Sequence, residues 1–246
     1  MLWWTIGLQS TVEVGSVRII GISGSPRAGG NTDIILSEAL AAAKEDGAEV
    51  RLIRVSDYRL EPCSACQACF TSQKCVIEDD CEKIYREMLH SDGVILGSPS
   101  YFQSVTAQMK IFIDRIGFLA LARGRRDFAG KVGGVIAVAR RSGVSSTCNQ
   151  MLTFLTAVRM MIPSGGRAFA IARQKGEVTS DKEGIESARH LGKMMVKTVL
   201  AMTNTREPKV ATRTRKPKTQ GPRRSGGSTR SGTGRNVGTL RGGKKA

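Results

Sequence analysis

Between residues 17 and 202 the chain alternates five times between a short apolar run and a helical stretch, and this alternation restricts the possible folds most strongly. The predicted strands are Val17–Ile22, Ala48–Val55, Asp92–Gly97, Lys131–Ala139 and a segment, Met160–Ala172, that Pro163 and Gly165-Gly166 interrupt. The predicted helices cover residues 33–46, 81–90, 106–123, 147–159 and 180–202. Such alternation is typical of one parallel sheet covered by helices. We therefore predict an α/β fold with a doubly wound five-stranded parallel sheet and helices on both faces.

The loop after the first predicted strand is rich in glycine and hydroxyl side chains and leads into a helix. Free N–H groups and the dipole at a helix N-terminus attract anions. The loop has neither the Gly-Lys-Ser/Thr ending of a Walker loop nor a G-x-G-x-x-G pattern, so it predicts a site for a terminal phosphate. A simple glycine turn before a capped helix is the alternative. The predicted phosphate-binding residues are Ser23, Ser25, Arg27, Gly30, Asn31 and Thr32, and Asn31 is also expected to cap the helix.

Two more loops follow the third and fourth predicted strands, and parallel sheets bind ligands at the carboxyl ends of their strands. The first of these loops can place backbone polar groups and an aromatic side chain beside a planar ring, or it can be a turn that merely packs on the core. The second carries two arginines, which either neutralise an anionic cofactor or face solvent. The residues predicted to flank the ring are Pro99, Ser100, Tyr101 and Phe102 in one loop and Arg140, Arg141 and Gly143 in the other.

Four cysteines lie close together, Cys63, Cys66, Cys69 and Cys75, in a loop predicted to span residues 61–80. The spacing C-x2-C-x2-C-x5-C suits an iron–sulfur cluster, which four thiolates hold from closely spaced loop positions. Structural zinc usually takes two C-x2-C pairs that lie further apart. Disulfides are disfavoured because nothing marks the chain as secreted. Unligated or redox-active cysteines are the remaining alternative, and Cys81 is a candidate replacement ligand.

Positive charge is concentrated at the end of the chain. The formal net charge is +17, and residues 203–246 contain 13 of the 38 Lys and Arg against one acid, Glu207. Because this segment has almost no apolar residues, we predict a disordered basic tail. A solubilising extension is favoured over nucleic-acid binding, since no aromatic residue lies among the charges to stack on bases.

The start of the chain predicts a short extension, residues 1–16, before a domain of residues 17–202. Its apolar run has no basic residue before it and no convincing cleavage site, which argues against a signal peptide. No run reaches the ~20 apolar residues of a membrane span. We therefore expect a cytoplasmic protein without membrane contact.

These motifs together resemble the flavodoxin-like family of NAD(P)H-dependent FMN reductases, and within it the iron–sulfur flavoproteins. The resemblance covers residues 17–200. GSPRAGGNT at residues 24–32 is similar to the family's FMN phosphate loop, and GSPSYFQSVTAQMKIFIDR at residues 97–115 is similar to its flavin-ring loop. The cysteine spacing resembles that of the iron–sulfur branch. Two departures are Val105-Thr106-Ala107, in place of a Ser-Ala stretch, and residues 140–145, which lack a double glycine.

The resemblance implies a flavodoxin-like fold, bound FMN and a [4Fe–4S] cluster on the four cysteines. It further implies electron transfer from the cluster through FMN to dioxygen, peroxide, a quinone or another carrier, with no catalytic acid or base. Ferredoxin or NAD(P)H is the implied electron donor, and a homo-oligomer is the implied assembly. The alternative is an NAD(P)H-dependent FMN or quinone reductase whose cysteines bind nothing. A redox module that binds nucleic acid through its tail is the third hypothesis.

Overall fold

A computed structural model describes residues 16–204 of the chain. Five parallel strands form one sheet in the order β2-β1-β3-β4-β5. The strands are β1 (Arg18–Ser23), β2 (Glu49–Arg54), β3 (Gly93–Pro99), β4 (Val132–Ala139) and β5 (Arg167–Ile171). This order is that of flavodoxin-like sheets, in which ligands bind at the carboxyl edge. The predicted five-stranded parallel sheet is confirmed.

The last strand is shorter than the segment Met160–Ala172 that the sequence predicts. Pro163 and Gly166 enclose a turn in which the Gly166 N–H donates to the Pro163 carbonyl, and Gly165 has a φ of +67°. Before this turn, Met161 makes only an isolated bridge to Val132. The chain therefore joins the sheet as a full strand only after the turn, at Arg167.

Six α-helices lie in the described part of the chain, with 3-10 turns at Val55–Asp57 and Glu177–Ser180. Five of them correspond to predicted helices, whereas the second is a single turn inside the cysteine loop that the sequence did not predict. The helices are α1 (Asn31–Glu45), α2 (Ala68–Ser72), α3 (Cys81–Leu89), α4 (Ala107–Ala122), α5 (Val144–Ala157) and α6 (Lys182–Asn204). None of these described helices has the length and hydrophobicity needed to cross a membrane.

The predicted N-terminal extension and disordered basic tail lie outside the described residues, apart from positions 16, 203 and 204. The division at residues 16 and 203 therefore stays a prediction. The described segment contains every strand and loop that carries a predicted cofactor-binding or cysteine residue.

Two apolar layers cover the sheet, because successive side chains of a strand point to opposite faces. On one face, Ile19 and Ile95 belong to a buried cluster that includes side chains of α1 and α6. On the other face, Ile20 and Leu96 belong to a buried cluster that includes side chains of α3, α4 and α5. Both faces of the sheet are therefore covered by helices, as a parallel sheet requires.

Glycines let α1 approach its neighbours closely. A Cβ atom on Gly97 would overlap the side chain of Leu36 and crowd Thr32, both on α1. A Cβ atom on Gly192, within α6, would overlap the carbonyl oxygen of Ala39 on α1. The first turn of α1 therefore lies against the carboxyl end of β3, which brings the first and second predicted cofactor loops together.

This close packing predicts that Gly192→Ala lowers the free energy of unfolding by about 1–3 kcal/mol, because the added methyl group forces two helices apart. Gly117→Ala in α4 is the matched control, since its Cβ would meet nothing nearer than 3.7 Å. The control should gain about 0.5–1 kcal/mol from helix propensity. Chemical denaturation of the two variants measures both changes. Equal stabilisation by both substitutions would contradict the close contact of α1 with α6.

Candidate functional site

A cleft of about 190 Å³ lies at the carboxyl edge of the sheet, where the loops after β1, β3, β4 and β5 meet. Nine of the thirteen predicted cofactor-binding residues line it. They are Ser25, Arg27, Gly30, Asn31, Thr32, Pro99, Ser100, Tyr101 and Arg140. The remaining lining residues are Val138, Ala139, Ala172, Arg173 and Lys175. The three predicted loops, after β1, β3 and β4, therefore converge as the parallel topology predicts, and the loop after β5 joins them.

Ser23 lies beneath this cleft rather than in its lining. Its side chain is fully buried, and its hydroxyl donates to Asp33 Oδ1 at 2.5 Å. The second oxygen of Asp33 accepts the Gly29 N–H at 2.8 Å. The buried Asp33 carboxylate therefore holds the two ends of the loop together. The sequence analysis missed this residue, although an acid in the first turn of a helix after a glycine-rich loop was the available signal.

Asn31 does not cap α1, which corrects the sequence prediction. The N-cap residue is Gly30, and no side chain caps the helix. The Asn31 amide instead contacts the loop after β5: its Nδ2 donates to the Gln174 carbonyl at 2.7 Å, and its Oδ1 accepts the Gly176 N–H at 2.8 Å. Asn31 thus ties the first loop to the loop that carries Arg173 and Lys175.

Basic side chains dominate the charge of the cleft. Arg27, Arg140, Arg173 and Lys175 line it, and none of its described lining residues is acidic. Arg173 and Lys175 were missed by the sequence analysis, because only the sheet topology shows that the loop after β5 faces the same cleft. Together with the uncapped N-terminus of α1, these cations favour an anionic ligand such as a phosphate monoester.

The second loop forms a tight reverse turn over the cleft. Tyr101 and Ser104 exchange two backbone hydrogen bonds of 2.9 and 3.0 Å. Phe102 and Gln103, between them, both have positive φ, 48° and 62°, as a type I′ turn requires. The turn leaves the Phe102 side chain fully exposed to solvent.

A buried hydroxyl below this turn has no partner in the described residues. Ser100 Oγ is shielded from solvent and makes no hydrogen bond. A Cβ atom on Gly143, whose φ is +96°, would collide with it. Gly143 therefore does not line the cleft itself. Its lack of a side chain lets the loop after β4 approach the loop after β3. An unsatisfied buried hydroxyl is costly, so Ser100 Oγ is suited to a polar ligand atom.

A second cavity of about 360 Å³ shares Ser100, Arg140 and Arg173 with the cleft. Phe102 and Arg141 also line it, so these two predicted residues face a space that adjoins the cleft. Of the predicted cofactor-binding residues, Ser23 and Gly143 line neither space.

The four clustered cysteines line a single cavity. Cys63, Cys66, Cys69 and Cys75 all border it, and the other lining residues are Ser64, Ala65, Gln67, Val76, Ile77, Arg115, Phe118 and Leu119. All six cysteines of the described residues are free thiols. Cys81 and Cys148 are buried outside this cavity, and burial raises the pKa of each to about 12. Cys81 does not line the cavity, and its role as a replacement ligand stays a prediction.

Backbone shape and hydrogen bonds prepare the cysteine loop. Ala65, Gln67 and Gln73 have positive φ values of 54°, 61° and 57°, so the chain turns sharply between cysteines. The Ala68 N–H and then the Ser64 hydroxyl lower the pKa of Cys66 by hydrogen bonding, whereas burial raises that of Cys69. These two hydrogen-bond donors favour the thiolate form of Cys66.

The four thiols match the ligands of an iron–sulfur cluster in number and kind. Among the described residues, no three His, Cys, Asp or Glu side chains are grouped to hold one metal ion. A cubane cluster spreads four thiolates over its separate irons, so its ligands surround a larger body. The agreement lies in the donor set, since four thiols border one cavity.

Comparison with known proteins agrees with this geometry. The sequence model of a family described as NADPH-dependent FMN reductase matches residues 17–175. An iron–sulfur flavoprotein of Methanocaldococcus jannaschii is 38% identical over 191 residues, which cover 74% of this chain and 97% of that protein. An iron–sulfur flavoprotein of Methanosarcina thermophila is 40% identical over 135 residues, 53% of this chain and 69% of that protein.

Solved structures share the fold. RosB, solved with a bound derivative of riboflavin phosphate, superposes with a TM-score of 0.64 over 77% of this chain and 81% of RosB at 15% identity. A flavodoxin from the domain Archaea superposes with a TM-score of 0.50 over 75% of this chain and 99% of the flavodoxin at 13% identity. The sheet order and these matches confirm a flavodoxin-like fold. The chain belongs to the NADPH-dependent FMN reductase family, in the branch of the iron–sulfur flavoproteins, and is an FMN-dependent oxidoreductase.

Proposed function

We propose that this chain transfers electrons between a [4Fe–4S] cluster and FMN, and from there to a small acceptor. Dioxygen, peroxide, a quinone or another electron carrier fits the acceptor role. The single observation that carries the proposal is the convergence of four cysteine thiols on one cavity in a member of an FMN reductase family. When bound, the cluster supplies one-electron transfer and FMN supplies one- or two-electron transfer.

The cysteine cavity would hold the cluster through Cys63, Cys66, Cys69 and Cys75. Four thiolates complete the ligand set of a [4Fe–4S] cluster. Phe118 and Leu119 cover one side of the cavity with apolar surface, which limits access of water to the metal centre. The Ala65 N–H donates to Cys63 Sγ at 3.4 Å, and hydrogen bonds to ligand sulfur stabilise its negative charge.

The cleft at the sheet edge would hold FMN. Its phosphate group fits the uncapped N-terminus of α1, beside Arg27, Arg173 and Lys175. Ser25, Gly30, Asn31 and Thr32 complete that end of the cleft, and Ser23 supports it from below. The flavin ring fits between Pro99–Phe102 and the loop after β4. There the Ser100 hydroxyl has no hydrogen-bond partner among the described residues. Arg140 and Arg141 would stabilise the negative charge of the reduced ring, and Gly143 admits the close approach of the two loops.

The alternative proposal is direct reduction of FMN by NAD(P)H. A relative from Bacillus subtilis, named a putative NAD(P)H-dependent FMN-containing oxidoreductase, is 27% identical over 40% of this chain. The arginine-bordered cavity beside the cleft has the charge that a nicotinamide dinucleotide needs. Ferredoxin remains the donor under the first proposal, and a cytoplasmic homo-oligomer is expected under both.

Purification without oxygen tests the cluster. We expect about four iron and four sulfide per chain, with an absorbance near 400 nm that reductants bleach. Cys66→Ser and Cys75→Ser should each lose most of the iron while retaining FMN. Cys148→Ser is the matched control, because Cys148 is buried away from the cavity, and it should retain both. Iron-free wild-type protein that still binds FMN would favour the NAD(P)H alternative.

Binding of FMN and riboflavin to the flavin-free protein tests the phosphate site. Arg27→Gln and Arg173→Gln should each weaken FMN binding about tenfold, the order expected for one charged hydrogen bond. Neither should change the affinity for riboflavin, which lacks the phosphate. Arg51→Gln is the control: Arg51 pairs with Glu87 at 2.7 Å and does not line the cleft. Equal losses for the two ligands would show that these side chains do not contact the phosphate.

A further inference from the structure

One buried ion pair connects the cysteine loop to helix α4. Arg115 Nη1 and Nη2 lie 2.5 and 2.9 Å from the two carboxylate oxygens of Asp79. The side chains are 1% and 0% exposed. A guanidinium and a carboxylate joined by two parallel hydrogen bonds form the most directional ion pair available to proteins.

The pair also binds both ends of the loop. The Glu61 N–H and the Cys81 N–H each donate to Asp79, at 2.9 and 3.0 Å, and Arg115 Nη1 donates to the Glu61 carbonyl at 2.6 Å. Glu61 precedes the first of the four cysteines and Cys81 follows the last. Both Asp79 oxygens and both terminal nitrogens of Arg115 therefore have hydrogen-bond partners, and a buried pair contributes to specificity only when it is well satisfied.

The same guanidinium reaches a cysteine sulfur. Arg115 Nη2 lies 3.4 Å from Cys75 Sγ and donates a hydrogen bond to it. Positive charge and hydrogen bonds at ligand sulfur favour the reduced, more negative form of an iron–sulfur centre. Arg115 therefore has an electrostatic contact with the cavity besides its structural one.

Another arginine reaches the loop without this contact. Arg123, just after α4, donates to the Gln73 carbonyl at 3.1 Å, pairs with Glu82 at 3.0 Å and lies over the Tyr85 ring. None of its described hydrogen bonds involves a cysteine. Arg123 brings the same charge to the same loop from the end of α4, so a substitution there separates a specific role of Arg115 from a general effect of positive charge.

We propose that Arg115 is a positioning residue with two effects: with Asp79 it holds the cysteine loop in its ligand-binding shape, and through Cys75 it raises the reduction potential of the metal centre. The second effect rests on the proposed function, because it needs the cluster. The first concerns the chain alone and is independent of metal.

Redox titration of the anaerobically purified protein, followed by electron paramagnetic resonance, tests the electrostatic effect. Arg115→Gln should make the potential more negative by about 59 mV, a tenfold change in a one-electron equilibrium. Asp79→Asn should move it in the opposite direction, because it removes a negative charge and leaves the guanidinium. Arg123→Gln should leave the potential unchanged. A purely structural role would not give shifts of opposite sign, so equal potentials in wild type, Arg115→Gln and Asp79→Asn overturn this effect.

Hydrogen exchange of the metal-free full chain tests the positioning effect. Amides of residues 61–81 should exchange at least tenfold faster in Arg115→Gln and Asp79→Asn than in wild type, and less so in Arg123→Gln. Arg115→Lys keeps the charge but loses the bidentate contact with Asp79. The amides of residues 61–81 should therefore exchange faster than in wild type, while the reduction potential stays near the wild-type value. This variant also serves if Arg115→Gln does not fold. Unchanged exchange in Arg115→Lys and Asp79→Asn overturns the positioning effect.

The two proposals fail in distinguishable ways. Wild-type protein without iron would contradict the proposed function, while the exchange experiment would still decide whether Arg115 and Asp79 hold the loop. If the wild-type protein contains a cluster, but neither its reduction potential nor the exchange of the loop amides changes in Arg115→Gln and Asp79→Asn, only the present inference is contradicted.

Discussion

All five strands run in the same direction, and the site depends on this one constraint. Parallel strands end at a common edge, so every strand-to-helix loop emerges there. The loops after β1, β3 and β4 meet in one cleft because these three strands are neighbours. The loop after β5 adds Arg173 and Lys175 for the same reason. Close packing of α1 at Gly97 and Gly192 then sets how near these loops come.

Polar side chains keep the loops in place where apolar packing cannot. Asp33 joins two points of the loop after β1, Asn31 joins that loop to the one after β5, and Asp79 with Arg115 anchors the cysteine loop. Each is a short-range, directional interaction between loops with little apolar surface. Such fully satisfied polar contacts give a loop one conformation, which a cofactor site needs before its ligand arrives.

Sequence reasoning recovered the sheet, five helices and most of the cleft lining because these depend on local patterns. The runs of β-branched residues and the glycine-rich turns identify strands, and Ser25, Arg27 and Tyr101 follow from their place after a strand. It failed where a side chain contacts residues that are distant in the sequence. Asn31 was expected to cap its own helix but binds a loop more than 140 residues away.

The sequence by itself determined the fold class, the convergence of loops at one sheet edge and the grouping of four thiols in thirteen residues. Tertiary structure alone decided which polar side chains face the cleft and which lie beneath it. It also decided that Arg115 of α4 is the arginine that contacts Cys75. The physical reason is that periodicity reports burial along one element, whereas a hydrogen bond between distant residues depends on how two elements pack. Arg115 illustrates this: it sits within a predicted helix, but only packing of α4 against the loop brings it to Asp79.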